Sequence, residues 1–198
     1  MNTHKERIAF FGGSFDPVHC GHIAIAQAAV NQSALDRVIF LPAARSPLKH
    51  HGPRAGGELR LEMLRSATEG LPWAEVNGWE LFRPAPSYSW QTVEYFTSRN
   101  RTPSEWFWLM GTDQWEALEK WSRWEHLASM VTFLVFGRDG GKPLQRSGVR
   151  AQFLKGQFHG SSTAIRSEIE AGRGIEGLVP PGVEKIIARN KLYHPLRE

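Results

Sequence analysis

The chain has 198 residues, of which 41% are hydrophobic and 22% charged; these proportions exclude a disordered polymer and point to one domain, residues 1–198, with a real core. Cys20 is the only cysteine, which excludes an internal disulfide and a cysteine-rich zinc site. The formal charge of +4 suits anionic ligands, but the basic residues form no Lys/Arg run, so neither a nucleic-acid surface nor a nucleic-acid partner is expected.

Near-continuous apolar runs at 7–11, 37–43, 105–110 and 131–137 read as buried parallel strands, with a weaker strand at 73–81. Helical patterns fall at 21–32, 58–69, 89–98, 113–128, 163–171 and 182–190. Alternation of strand and helix predicts an α/β fold. The sheet is parallel, doubly wound and Rossmann-like, with helices on both faces and a small helical tail over 160–198. Segments 43–57 and 136–148 are rich in Gly, Pro and basic residues and read as flexible loops. No stretch resembles a signal peptide or approaches the roughly 18 apolar residues of a membrane span. A cytoplasmic protein with no membrane partner is expected, as a monomer or a homo-oligomer.

The densest stretch, "GGSFDPVHCGH" (12–22), sits where the first strand ends and the first helix starts. Ligands of doubly wound sheets bind at such ends. Gly12 and Gly13 allow close backbone approach. The helix start presents unpaired amides and a positive dipole end. His19 and His22, three apart, can face the same volume. Together these groups suit phosphate. No third ligand accompanies the histidines, so no metal site is expected. Later, "GSSTAIR" (160–166) offers a second helix start that Ser161 or Ser162 can cap, with Arg166 one turn in. Asp113 follows a strand end, where a carboxylate either accepts from ribose hydroxyls or caps the next helix. Ser122 and Glu125 form a capping-box pattern that would start a helix at Ser122 and leave Trp121 in the preceding turn. A Trp in that place can stack on a flat heteroaromatic ring; Trp115 and Trp124 read as packing.

"GGSFDPVHCGH", with its HxGH core, resembles the signature of the nucleotidyltransferase superfamily, in the form found in bacterial nicotinate-nucleotide adenylyltransferases. The resemblance continues through "LPAARSPLK" (41–49), "RLEML" (60–64), "RPAPSYSWQT" (83–92), "MGTDQWEALEKWSRW" (110–124), "GSSTAIR" (160–166) and "GIEGLVPPGVEKIIARNKLY" (174–193). It implies adenylyl transfer from ATP to nicotinate mononucleotide, with Mg²⁺ accompanying ATP. On this resemblance His19, His22, Lys49 and Arg166 serve catalysis. Gly12, Gly13, Ser14, Asp113, Arg138, Ser161, Ser162 and Thr163 bind ATP. Phe15, Ala85, Thr92, Trp121 and Ser122 bind the mononucleotide, with Trp121 on the nicotinate ring. Ser122 departs from the family, which often carries Tyr or His there. The alternatives are transfer to nicotinamide mononucleotide or another phosphate acceptor, and a non-catalytic nucleotide- or RNA-binding module.

Overall fold

The computed structural model describes residues 5–45, 51–137, 144–156 and 159–195. Six parallel strands form one sheet: β1 (Glu6–Gly13), β2 (Arg37–Pro42), β3 (Ala74–Val76), β4 (Ser104–Gly111), β5 (Thr132–Phe136) and β6 (Ala151–Leu154), in the order β3-β2-β1-β4-β5-β6. The order reverses between β1 and β4, which is the doubly wound, Rossmann-like arrangement. The helices are α1 (Cys20–Ser33), α2 (Gly57–Thr68), α3 (Ser89–Arg99), α4 (Thr112–Glu116), α5 (Trp124–Met130), α6 (Ser162–Glu170) and α7 (Pro181–Arg189). Among the described residues no helix is long and apolar enough to cross a membrane.

The inner strands are apolar on both faces because both are covered. Ile8, Phe10, Trp108, Met110 and Val135 pack in one core layer, while Ala9, Phe11, Phe40, Leu109 and Leu134 pack in the other. This alternation within one strand is the period-2 geometry of the pleat. The tail is built into the second layer: Val183, Ile186 and Ile187 of α7 join it, and Arg189 pairs with Glu62 of α2 at 2.6 Å.

Three expectations are corrected. The helix expected over 113–128 is broken into α4, a short 3₁₀ turn (Leu118–Lys120) and α5. Burial of Trp115 and Leu118 on the sheet sets this path. The Ser122 capping box does not form: α5 starts two residues later, with Arg123 in the left-handed region (φ 50°) at its N-cap. The weak strand over 73–81 shortens to β3 plus a 3₁₀ turn at Trp79–Phe82. In addition, β6 falls where no strand was expected. It is a four-residue edge strand with only Leu154 buried, which leaves little apolar pattern in the sequence.

Candidate active site

The site lies at the carboxyl ends of β1 and β4, where the strand order reverses. Its floor is made by Gly12. A β-carbon there would stand 3.0 Å from Cζ2 of Trp108 on the neighbouring strand, so a larger residue would press on that indole ring. A cleft of about 290 Å³ opens above. Gly12, Gly13 and Ser14 line one side, Ser87, Tyr88 and Ser89 a second, and Asp113, Gln114, Lys120, Trp121 and Ser122 a third.

Beside the cleft, α1 begins with two histidines that cap each other. His19 is the N-cap; its Nδ1 accepts from the His22 amide at 3.3 Å, and Nδ1 of His22 accepts from the His19 amide at 3.2 Å. This is a capping box written in imidazoles rather than in Ser and Glu. The rings stack with centroids 3.7 Å apart. Each Nδ1 accepts an N–H, so the ring proton of each neutral imidazole is assigned to Nε2. Both side chains are thereby fixed as Nε2 donors at the positive end of a 14-residue helix.

The second phosphate-type segment lies directly on this pair. A β-carbon on Gly21 would sit 2.2 Å from the carbonyl oxygen of His159, and one on Gly160 (φ +138°) would sit 2.7 Å from His19 Nδ1. Only glycine lets the two chains approach this closely. Ser161 is the N-cap of α6 and accepts from the Ala164 amide at 3.3 Å. Ser162 Oγ donates to the Pro17 carbonyl at 2.9 Å. Arg166 donates to the Asp16 carbonyl at 2.7 Å and to Thr163 Oγ1 at 3.2 Å. In this geometry Ser162, Thr163 and Arg166 brace the 12–22 loop, and Arg166 spends two of its five donors doing so.

Other expected site residues divide clearly. Asp113 is exposed at the cleft and does not cap α4, whose N-cap is Gly111. Trp121 stands in the cleft wall, edge-on to Trp108 (6.1 Å, 88°). Its buried indole N–H has no hydrogen-bond partner among the described residues. Trp115 is fully buried and Trp124 packs on the same core layer. Three of the expected residues do not line the cleft. Phe15 is 2% exposed, with its ring against Phe11, Phe40 and His22; it supports His22 from below and offers a ligand only backbone. Thr92 is fully buried and donates to Glu80 at 2.7 Å. Ala85 is exposed and does not line the cleft. Lys49 and Arg138 lie outside the described residues.

Sequence reasoning passed over Glu80 and Arg60. Glu80 is buried in the cleft wall, bonded to Thr92 and Ser87; burial pushes its carboxyl above the usual range, against those two hydrogen bonds. Nothing local marks it within "GWELF". Arg60 is 2% exposed and donates to the carbonyls of Ser14 (2.7 Å), Ala43 (2.9 Å) and Ala55 (3.1 Å). It ties the ends of β1 and β2 together. Burial pulls its pKa below the ordinary value, with Asp16 opposing. Its signal was legible: Arg60 shares the buried face of α2 with Met63, Leu64 and Ala67, a charge on an apolar stripe at helical spacing.

Comparison with known proteins agrees with this geometry. Residues 10–168 match the family model described as cytidylyltransferase-like. A protein of Methylacidiphilum infernorum (isolate V4), named a probable nicotinate-nucleotide adenylyltransferase, is 36% identical over 196 residues, 98% of this chain and 96% of the relative. Nicotinic acid mononucleotide adenylyltransferase of Plasmodium falciparum, solved in complex with NaAD, superposes with a TM-score of 0.73 at 17% identity, covering 96% of this chain and 98% of that one. The same protein in complex with APC gives a TM-score of 0.70 at 16% identity, with the same coverage. At such identities the two solved structures speak for the fold, and the near-full-length relative for the family. With glycines, paired histidines and a Trp-walled cleft meeting at the point where the sheet reverses, the chain belongs to the nicotinate-nucleotide adenylyltransferase family.

Proposed function

We propose that the protein transfers the adenylyl group of ATP to nicotinate mononucleotide, forming deamido-NAD and pyrophosphate, a step of NAD biosynthesis. The observation that carries this reading is the mutual capping of His19 and His22, which leaves the ring proton of each on Nε2 at a helix N-terminus, in the loop that runs on from the cleft residues Gly12, Gly13 and Ser14. A phosphate oxygen of the mononucleotide attacks the α-phosphorus of ATP. The bond from that phosphorus to the β-phosphate bridge oxygen breaks, and pyrophosphate leaves with the electron pair. The nucleophile is already ionised near neutral pH, so the reaction needs positioning and charge stabilisation rather than a general base. His19 and His22 donate to the phosphate oxygens. Gly12, Gly13 and Ser14 give the dinucleotide close backbone contact. Asp113 accepts from ribose hydroxyls. Lys49 neutralises phosphate charge, and Arg138 contacts the adenosine end. The starts of α1 and α6 add dipole and amides.

Mg²⁺ bound to ATP would supply neutralisation of the triphosphate charge. Among the described residues no cluster of three His, Cys, Asp or Glu could hold a metal.

Trp121 supplies a ring face to the pyridine. One observation favours transfer to nicotinamide mononucleotide instead. Glu80 lines the same cleft, and an ionised carboxylate there would accept from an amide and repel a substrate carboxylate. Burial favours the protonated form of Glu80, which reduces that repulsion. The deciding experiment is pyrophosphate release from ATP with each mononucleotide in turn. The expected result is at least a roughly 10²-fold higher kcat/KM for the nicotinate form, the size of a buried donor left unpaired plus a lost charged hydrogen bond. Equal values would overturn the substrate assignment, and no release with either would overturn the reaction. Trp121→Ala should raise the KM of the mononucleotide far more than that of ATP.

A further inference from the structure

The C-terminal tail reaches the phosphate site by a route that packing alone does not require. Tyr193 is 5% exposed, and its ring belongs to the core layer beneath α1 and α2. Its hydroxyl donates to Oδ1 of Asp16 at 2.8 Å. Asp16 is itself buried, inside the loop that carries His19, and its two oxygens also accept the amides of Ala55 (3.0 Å) and Arg54 (2.8 Å). The Asp16 carbonyl takes Arg166 from α6. Arg60 secures Ser14 two residues earlier. Four segments distant in sequence thus converge on one residue, Asp16: the 12–22 loop, the lead into α2, the start of α6 and the tail.

The tail holds a costly backbone to get there. Lys191 (φ 51°) and Tyr193 (φ 67°) both lie in the left-handed region, which L residues with bulky side chains seldom occupy. A phenylalanine would fill the same apolar space, and burying a hydroxyl costs free energy unless it is bonded. The hydroxyl therefore earns its place through Asp16.

We propose that Tyr193 is a positioning residue for adenylyl transfer: through Asp16 it holds the His19–His22 loop and the start of α6 in the one mutual geometry that stabilises the transferring phosphate. It touches no substrate. Burial first, and then the negative charge of Asp16, push its phenol well above the usual range, so it remains a donor throughout the working pH range. The proposal rests on the reaction assigned above, and the test separates the two.

The experiment is steady-state pyrophosphate release from ATP and nicotinate mononucleotide by the wild-type chain and by Tyr193→Phe. The folded fraction of each is measured by near-UV circular dichroism. No release by the wild-type chain would strike the reaction itself. Given an active wild-type chain, Tyr193→Phe should lose about tenfold in kcat, the scale of one lost hydrogen bond felt in the transition state. Both KM values should stay within about twofold, since ground-state binding surfaces are untouched. The pH profile should keep its shape, because no titrating group is removed in the working range. An unchanged kcat, a loss carried by KM, or a loss that merely tracks the folded fraction would each overturn the proposal. If Tyr193→Phe fails to fold, Asp16→Asn is judged in the same assay by the same criteria; failure of both to fold would make the contact purely structural and overturn it as well.

Discussion

At the scale of single residues, the histidine pair separates two roles within one ring. His19 Nδ1 closes the helix cap, and the proposed phosphate donor is the Nε2–H. His19→Ala removes both and should lower turnover by roughly 10²-fold or more, as for loss of a preorganised donor. It should also cost about 0.5–2 kcal/mol for the lost cap. His19→Asn offers an oxygen near the position of Nδ1, and Asn is a favoured N-cap. It should recover most of the lost melting temperature while turnover stays low. Recovery of turnover in His19→Asn would assign the ring to capping alone. Glu80 poses a different question at the same scale. Its carboxyl is held above the ordinary glutamate range in the folded protein. The folded state therefore holds this proton more tightly than the unfolded state, so stability falls as pH rises from the ordinary glutamate value through the folded one. Glu80→Gln abolishes that titration and keeps the shape. Urea denaturation should show the variant gaining on the wild-type chain as pH rises from about 4 to 7, the interval that opens upward from the ordinary value. A difference independent of pH would mean that Glu80 is ionised at no cost.

At the scale of elements, the site is an agreement between two helix starts. α1 begins on the His19 cap and α6 on the Ser161 cap, and the segments leading into them touch at Gly21 and Gly160. The atom facing Gly21 is a backbone carbonyl, so it cannot swing aside as a flexible side-chain end would. Gly21→Ala sits inside α1, where alanine is intrinsically the better helix former by about 1 kcal/mol. Propensity thus predicts a gain, and the 2.2 Å approach to the His159 oxygen predicts a forced separation of the two segments. The steric term wins, because the distance lies well inside van der Waals contact. The expected outcome is a lower melting temperature and a fall in kcat of at least about tenfold, since displacement of the order of 1 Å suffices for that. A stabilised, fully active Gly21→Ala protein would show that the two helix starts need not meet for catalysis.

At the scale of the whole molecule, charge and hydrophobicity work by segregation. The strands are buried on both faces, ion pairs such as Arg7–Glu105 and Arg37–Glu6 gather at their amino ends, and the candidate site lies at their carboxyl ends, where the order reverses. The alternation of elements was legible in the sequence because buried parallel strands read as apolar runs. The start of every helix longer than eight residues lies within one residue of the expected one. Between Thr112 and Met130 the Ser122–Glu125 pattern marked one new helix start, two residues before the observed one, and the 3₁₀ turn was not legible. The apolar pattern there is continuous, and only docking of Trp115 and Leu118 on the sheet decides where the chain must turn. The same division runs through the site. The helix caps and the His pair are closed by contacts between residues three apart, so contiguous sequence contains both partners. The close approaches of Gly21 and Gly160 are not local, because their neighbours come from distant segments. Phe15 and Thr92, read as ligand contacts, are buried, and Glu80 takes a place in the wall that no local pattern marked. The bonds that brace the site, Arg166 to Asp16 across 150 positions and Tyr193 to Asp16 across 177, exist only once the sheet has brought four segments to one edge. A residue's chemistry is its own, but its burial and its partner belong to whatever the folded chain places beside it.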